Sequence, residues 1–242
     1  MVSKSQIKLI TSLQQKKYRD KEELFIAEGP KIISELRASG LKIHSLFSTE
    51  RYEDLSDRFY EVTANELQKI SALKRANTAL ALFEIPRHKT IPSEGIIVAL
   101  DAIRDPGNLG TIIRLCDWFG VRQLVCSVDT ADCYNPKVVQ ATMGSIARVE
   151  VQYLDLSEYI QNTDLPVFGG VLDGENVYAS TLPKNAIVVV GNEGNGISEE
   201  IMKQLTHKIT IPQFGATQQT ESLNVATATA ILLSEFNRST ET

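Results

Sequence analysis

Five polar side chains in the C-terminal two thirds of the chain are of types that can hydrogen-bond a ligand or hold a charge. They are Asn108, Arg114, Glu193, Ser222 and Asn224, and they lie in or shortly after three separate turns that contain Gly or Asn. Together they offer one guanidinium, one carboxylate, one hydroxyl and two amides. A guanidinium can hold a phosphate or a hydroxyl and stabilise developing negative charge. No metal site is predicted.

The turns are placed by the strands that precede them. Apolar, β-branched runs lead into the turns, among them IIVAL (96 to 100), AIVVV (186 to 190) and KITI (208 to 211), and each has the length of a buried strand. Turns at the carboxyl ends of neighbouring parallel strands meet at one edge of a sheet. We therefore expect the three turns to converge on one ligand.

The order and spacing of these segments resemble a known family. The first turn reads DPGNLGTIIR, the second VVVGNEGNGIS, and the third IP followed by SLNVATATAILLSEF, with NPKVVQATMGS (135 to 145) before the second. Residues 96 to 238 are similar to the SpoU (TrmH-type) branch of the SPOUT RNA methyltransferases. The resemblance implies transfer of a methyl group from S-adenosylmethionine to a ribose 2′-hydroxyl.

The predicted fold class is α/β. Further strand candidates are QLVCS (123 to 127), ARVEV (147 to 151) and PVFGGVL (166 to 172), with helical stretches at 109 to 119, 156 to 162 and 198 to 205. This alternation predicts a mainly parallel sheet covered on both faces. The resemblance further implies a trefoil knot and a homodimer, and a stripe of small residues on the final helix would permit close packing.

The resemblance assigns roles to the five polar residues, and each also has a structural alternative. Arg114 is expected to position and activate the 2′-hydroxyl, or else to be an ordinary exposed helix residue. Asn108 is expected near Arg114 and the ribose, or as the cap of a helix beginning near Leu109. Glu193 would pair with an arginine or lie in a solvated turn. Ser222 and Asn224 would bind substrate, orient Asn108 and Arg114, or cap the final helix.

The resemblance also implies a cofactor pocket lined by the second and third segments. The expected cofactor-binding residues are Gly191, Asn192, Gly194, Ile211, Pro212, Leu223 and Ala226. Glycines at such a turn permit close approach of the backbone to a bulky ligand. Ordinary strand-to-helix turn chemistry explains the same glycines equally well.

The N-terminal part is expected to be a separate domain. ELFIAEGPKIISEL (23 to 36) is similar to the start of the L30e-like substrate-binding domain of SpoU enzymes. Locally it predicts a strand over FIAE and a helix with Pro30 in its first turn. The predicted domains are residues 1 to 89, for RNA binding, and 90 to 242, for catalysis, with a Pro- and Gly-containing linker at 85 to 95.

Charge is distributed unevenly between these domains. Residues 1 to 89 contain 16 Lys and Arg against 12 Asp and Glu, whereas residues 90 to 242 contain 9 against 18. The first 19 residues contain five of the basic side chains: Lys4, Lys8, Lys16, Lys17 and Arg19. Such a cluster suits an RNA backbone, although a solvated N-terminus has the same composition.

Other features exclude function classes. The chain lacks an apolar run of membrane-spanning length, a phosphate-binding P-loop and a dinucleotide fingerprint. Three cysteines without metal spacing indicate reduced thiols and a cytoplasmic protein. Gln140 and Thr142 stand where the family often has Arg and Ser, so a weaker or differently supplied RNA-phosphate contact is expected, and Gln213 stands where Met is common. None of these departures removes a residue essential to the implied chemistry. The remaining alternatives are a tRNA substrate in place of the favoured ribosomal RNA, a non-catalytic RNA-binding protein, and an enzyme using another nucleotide.

Overall fold

The computed structural model describes residues 2–52, 58–87, 94–215 and 221–238. The helices are α1 (Lys4–Ser12), α2 (Lys16–Glu22), α3 (Pro30–Ala38), α4 (Ala64–Ile70), α5 (Pro106–Trp118), α6 (Pro136–Thr142), α7 (Leu156–Gln161), α8 (Glu199–Met202) and α9 (Val225–Arg238). The strands are β1 (Leu24–Glu28), β2 (Ile43–Ser48), β3 (Phe59–Glu61), β4 (Ala79–Glu84), β5 (Ile96–Asp101), β6 (Gln123–Cys126), β7 (Glu150–Tyr153), β8 (Val167–Asn176), β9 (Ala186–Gly191) and β10 (His207–Thr210).

The chain packs as two units. The first contains the described residues up to Arg87 together with Asp132–Ala147, and the second contains the other described residues. The predicted boundary between residues 89 and 90 lies outside the described residues, as do residues 88 to 93 of the predicted linker.

The first unit is the mixed α/β module predicted from its sequence. Its four-stranded sheet has the order β1-β4-β2-β3, antiparallel except for the β2/β3 pair. The predictions for β1 and α3 are confirmed. Pro30 begins α3, three side chains of the predicted apolar face are buried, and Gly40 just beyond the helix has a φ of +84°. Among the amino acids, glycine adopts this left-handed conformation with the least steric cost. Gly40 therefore ends the helix.

The second unit contains the predicted parallel sheet. Its six strands are ordered β10-β8-β9-β5-β6-β7, and every pair is parallel. β5 and β9 at the centre are almost wholly buried, which their continuous apolar sequences predict. Both strands end at the same level, because Asp101 is in register with Gly191. This edge of the sheet carries the first two turns.

Four element predictions are wrong in their bounds. The strand predicted over 166 to 172 extends to Asn176, and the helix predicted over 109 to 119 begins at Pro106. ARVEV was expected to be a strand from Ala147, but Ser145–Ala147 forms a short 3-10 turn and the strand begins at Glu150. The Ala147 N–H donates to the Gly144 carbonyl, which keeps this segment turned. The helix expected over 198 to 205 is only the four residues of α8.

The segment 132–147 differs from the predicted division, which places it in the catalytic domain. It lies between β6 and β7 in sequence, yet it packs with the first unit. α6 packs against β1, and the ring of Tyr134 lies 4.9 Å from that of Phe25. The guanidinium of Arg19 is paired with the carboxylate of Asp132. One part of the first unit therefore comes from sequence after the central strand β5.

Candidate functional site

The first turn of the site is built around a helix start that differs from the prediction. Asp105 caps α5, its Oδ1 accepting from the Asn108 N–H at 2.8 Å, and Pro106 is the first helical residue. The expectation that Asn108 caps a helix beginning at Leu109 is therefore wrong. Because the cap is supplied three residues earlier, the Asn108 side chain is available for other contacts.

Asn108 joins the second and third turns. Its Nδ2 donates to Glu193 Oε1 at 2.9 Å, and its Oδ1 accepts from Asn224 Nδ2 at 2.9 Å. An ionised carboxylate can only accept, so the Glu193 contact fixes which end of the Asn108 amide faces each partner. The three predicted turns thus converge, with Asn108 at the junction.

Asn224 caps the final helix and also contacts Asn108, whereas no contact joins it to Arg114 in the described residues. Its Oδ1 accepts from the N–H groups of Ala226 and Thr227, at 3.0 and 3.3 Å, and so caps α9. Its Nδ2 is the group that donates to Asn108. One directed chain of hydrogen bonds therefore runs from the first turn of α9 through two amides to the Glu193 carboxylate.

In the second turn, the backbone at Gly191 packs closely against the backbone of Gly196 and Ile197. A side chain at Gly191 would place its Cβ 2.1 Å from backbone atoms of Gly196 and Ile197, so only glycine fits there. Gly196 has a φ of +70°. Gly194 is different, because a Cβ there would lie 3.5 Å from the nearest atom outside its chain neighbours, which is an ordinary contact. The two predicted glycines are thus unequal in what they require.

Asn192 holds this turn from inside. Its Oδ1 accepts from the N–H groups of Gly194 and Asn195, at 2.9 and 3.2 Å, while its Nδ2 donates to the Ala102 carbonyl at 2.7 Å. Ala102 has a φ of +58°, unusual for a residue with a side chain. The Asn192 side chain therefore ties the second turn to the end of β5.

Asp101 is a site residue that the sequence analysis missed. It is 7% exposed at the end of β5, and its Oδ2 accepts from the Ser198 N–H at 2.7 Å. This bond holds the far end of the second turn, just before α8. A carboxylate directly after a buried apolar strand is the sequence signal that could have identified it.

Arg114 lies apart from the hydrogen-bonded chain. It is exposed, and it is six residues beyond Asn108, which is about 9 Å along the helix axis. Within the described parts of the chain it has no ion-pair or hydrogen-bond partner, so the anticipated pairing with Glu193 is not formed there. Ser222 is also exposed. Both side chains are therefore accessible to a ligand.

The remaining cofactor candidates lie near the third turn. Ile211 and Pro212 follow β10 and are half-buried, and Ala226 is buried in the first turn of α9. Leu223 is 47% exposed, and its backbone makes no hydrogen bond to any residue that the structure describes. An apolar side chain beside open backbone donors and acceptors suits the flat, polar-edged ring of an adenine. Their assignment to the cofactor stays a prediction.

Four of the five residues in the predicted basic cluster are exposed, and the fifth is buried. Lys4 and Lys8 on α1 and Lys16 and Lys17 on α2 are exposed. The prediction that Arg19 contacts RNA is wrong, because its side chain is only 2% exposed. Its Nη1 donates to the Leu13 carbonyl at 2.7 Å, and its guanidinium is paired with Asp132. Burying an arginine requires such partners, so Arg19 serves the packing of the first unit and is not a surface contact.

The described residues contain neither a metal site nor a membrane span. No group of His, Cys, Asp and Glu among them could hold a metal ion. No helix in this part of the chain is long and apolar enough to cross a membrane.

Comparisons with known proteins identify a family for each part of the chain. The family described as the SpoU rRNA Methylase family matches residues 95–234, and an MRM3-like substrate binding domain matches residues 4–81. The 23S rRNA (guanosine(2553)-2′-O)-methyltransferase RlmP of Bacillus subtilis is 29% identical over 230 residues, covering 91% of each chain.

Solved structures are similar over almost the whole chain. An AdoMet-bound rRNA methyltransferase from Sinorhizobium meliloti is 30% identical, with a TM-score of 0.87, and the match covers 98% of this chain and 97% of that one. A structure from Porphyromonas gingivalis assigned to the TrmH family of RNA methyltransferases is 37% identical, with a TM-score of 0.87 and coverage of 98% and 99%.

Proposed function

This chain belongs to the SpoU rRNA methylase family, and on that basis we propose that it transfers a methyl group from S-adenosylmethionine to a ribose 2′-hydroxyl of ribosomal RNA. The observation that carries the proposal is the hydrogen-bonded chain from Glu193 through Asn108 to Asn224. It joins all three turns at one edge of the sheet.

S-adenosylmethionine, when bound, supplies the electrophilic methyl group. Leu223, Ile211 and Pro212 would contact the adenosine, and Gly191 lets the second turn stay close-packed beside it. Alignment of the two reacting atoms supplies much of the rate of a displacement. We assign that alignment to the turns that Asn192 and Asp101 hold in place.

Arg114 is the residue proposed to act on the substrate. A guanidinium keeps its proton, so a literal general-base role is chemically demanding. We assign Arg114 to holding the ribose and its phosphate and to stabilising the charge that develops as the hydroxyl proton leaves. Ser222, exposed near the capped start of α9, is proposed as a second polar contact to substrate.

A homodimer is part of the proposal. Trp118 at the end of α5 is 82% exposed, and Phe214 after β10 is 83% exposed. In a homodimer, burial of these two side chains against the partner would remove apolar area from water. α5 also packs against α9, which carries Ala226, Ala230 and Ser234 of the small-residue stripe, while Ser222 lies before the helix. The knotted connection and a cytoplasmic location stay predictions of the sequence analysis.

Radiolabelled methyl transfer tests the proposed function. The purified chain, incubated with S-adenosylmethionine and ribosomal RNA from cells that lack the gene, should label that RNA at a single 2′-O-methyl nucleotide. The same RNA from cells carrying the gene should accept far less label, because its site is already filled. Labelling of tRNA alone would redirect the substrate assignment. Absence of labelling, with S-adenosylmethionine bound, would favour the non-catalytic alternative.

A further inference from the structure

Arg104 is an exposed arginine in the turn between β5 and α5, four residues before Asn108. Its guanidinium is 71% exposed, and its Nη2 lies 3.5 Å from Asp129 Oδ2, its one polar partner among the residues that the structure describes. A single contact of this length between exposed groups is weak, because water screens the two charges. Most of the guanidinium N–H donors are therefore open to a ligand.

The backbone that carries Arg104 is held in place on its N-terminal side. The Ala102 N–H donates to Ser127 Oγ at 2.9 Å, and the Ala102 carbonyl accepts from Asn192 Nδ2 at 2.7 Å. The side chain of Ile103 is fully buried. A fixed backbone thus carries a side chain whose charged end lies in solvent at the edge of the sheet where the turns converge.

Asp129 does not depend on Arg104 for its charge or its position. Its Oδ1 accepts from the Ser127 hydroxyl at 2.8 Å, a shorter contact than the one to Arg104. The pKa of Asp129 lies below its usual value mainly because of this Ser127 bond. Burial opposes the shift, and Arg104 adds a smaller lowering. Asp129 would therefore stay ionised and hydrogen-bonded if Arg104 turned toward another anion.

Positive charge is scarce in the three turn segments. Within residues 96 to 120, 187 to 198 and 209 to 237, the Lys and Arg residues are Arg104 and Arg114 alone. The larger part of the chain to which these segments belong, residues 90 to 242, contains 9 Lys and Arg against 18 Asp and Glu. An RNA strand that reaches this edge therefore depends on these two arginines to neutralise its phosphates.

We propose that Arg104 binds a phosphate of the RNA substrate beside the target nucleotide, by exchanging Asp129 for that phosphate. The inference rests on the proposed methyl transfer to RNA. A guanidinium can bind a phosphate through two parallel N–H donors, which its single contact to Asp129 does not use. Because Arg114 is assigned to the target ribose, Arg104 would hold the neighbouring part of the strand and strengthen RNA binding without acting on the reacting atoms.

Filter binding of ribosomal RNA from cells that lack the gene, measured over a range of salt concentrations, tests the contact. Arg104→Ala should weaken binding about fivefold, as for one charged contact in water. It should also make the slope of log affinity against log salt shallower by about 0.7 to 0.9, the value for one phosphate. Arg104→Lys keeps the charge and should keep the native slope. Arg122→Ala, at another exposed arginine of the same unit, is the matched control and should change neither quantity.

Asp129→Asn tests the exchange of partners. The Asn amide oxygen can still accept from the Ser127 hydroxyl, but the carboxylate that competes with the phosphate is gone, so RNA binding should tighten about threefold. In an Arg104→Ala background the same substitution should have little effect, because the competing pair no longer exists. A gain of equal size in both backgrounds would make Asp129 a general negative charge and would overturn the exchange.

Single-turnover methyl transfer separates an RNA contact from a catalytic one. Arg104→Ala should raise the RNA concentration that gives half the maximal rate, and the maximal rate should stay close to native. A lower maximal rate with unchanged RNA affinity would overturn the proposal, since Arg104 would then act on the reacting groups. Weaker S-adenosylmethionine binding in calorimetry would overturn it as well, because Arg104 would then contact the cofactor carboxylate.

Failure of the proposed function gives a different pattern from failure of this contact. A native chain that binds ribosomal RNA but transfers no methyl group rejects the enzyme proposal, and filter binding still decides whether Arg104 contacts a phosphate. An active native chain whose RNA affinity and salt slope are unchanged by Arg104→Ala rejects the Arg104 contact alone.

Discussion

The two units hold their polar side chains in different ways. In the second unit Asn108, Glu193 and Asn224 are joined to one another, and a buried carboxylate and an internal amide hold the turns around them. In the first unit Lys4 and Lys8 extend from α1 into solvent. Fixed groups can align reacting atoms, whereas solvated charges attract a polyanion over distance. Substitutions in the turns should therefore change rates, and substitutions in the basic helices should change salt dependence.

The largest effect is expected at Arg114. Arg114→Ala should lower the rate of methyl transfer about 10²- to 10³-fold, the effect usually seen when one charge-stabilising donor is removed. S-adenosylmethionine affinity should stay nearly unchanged, because Arg114 is assigned to the ribose and phosphate. Single-turnover methyl transfer and calorimetry measure the two quantities separately.

The control for Arg114 is Arg122→Ala, which removes another exposed arginine of the same unit. It should keep native activity. If both variants have near-native turnover, Arg114 has no catalytic role, and the fixed turns would have to do the chemistry without a positive charge.

Arg19 tests whether charge in the first unit is structural or functional. Arg19→Ala leaves the Asp132 carboxylate without its buried partner and should lower the free energy of unfolding by about 3 kcal/mol. Lys17→Ala, at an exposed position two residues earlier, should change it by less than about 0.5 kcal/mol. Urea unfolding of the three chains makes the comparison. Equal stabilities would mean that the Arg19–Asp132 pair contributes nothing to the fold.

The second turn allows a comparison between two glycines. Gly191→Ala should weaken S-adenosylmethionine binding roughly tenfold or more, since forcing a methyl into filled space costs about 1 to 3 kcal/mol. Gly194→Ala should have little effect, because the added methyl would make only an ordinary contact. Calorimetric titration of both variants measures the difference. Equal affinities would indicate that the turn yields easily and that its close packing does not shape the pocket.

Much of the second unit is predictable because its signals are local. β5, β9 and α5 follow from continuous apolar runs and a helical period, and the turns follow from Gly, Asn and Pro at fixed spacing. The family resemblance then joins the turns into one site. Asp105 shows the limit of this reasoning, because Asp and Asn in DPGN are both good caps and only the chain path selects between them.

The remainder depends on interactions between distant residues. Nothing in the sequence near Arg19 distinguishes it from Lys17, and its burial results from Asp132, 113 positions further on. The packing of 132–147 with the first unit cannot be predicted for the same reason. The sequence of its helix would be the same whichever unit it packed against. A cluster of basic residues therefore predicts the composition of a surface, while three-dimensional packing decides which members reach it.

The smallest effect is expected from the exposed lysines, and it separates long-range attraction from chemistry. Lys4, Lys8, Lys16 and Lys17 are all exposed, whereas Arg19 is buried, so the cluster that can meet phosphates has four members. Replacing these four with Gln should make the slope of log affinity for RNA against log salt shallower, by about 0.7 to 0.9 for each phosphate that the chain no longer neutralises. A chain with four Lys→Arg changes keeps the charge and should keep the native slope. S-adenosylmethionine binding should be equal in all three chains, because the substitutions leave the turns untouched. If the Gln chain has the native slope and affinity, these lysines form a solvated surface. RNA recognition would then have to come from other parts of the protein.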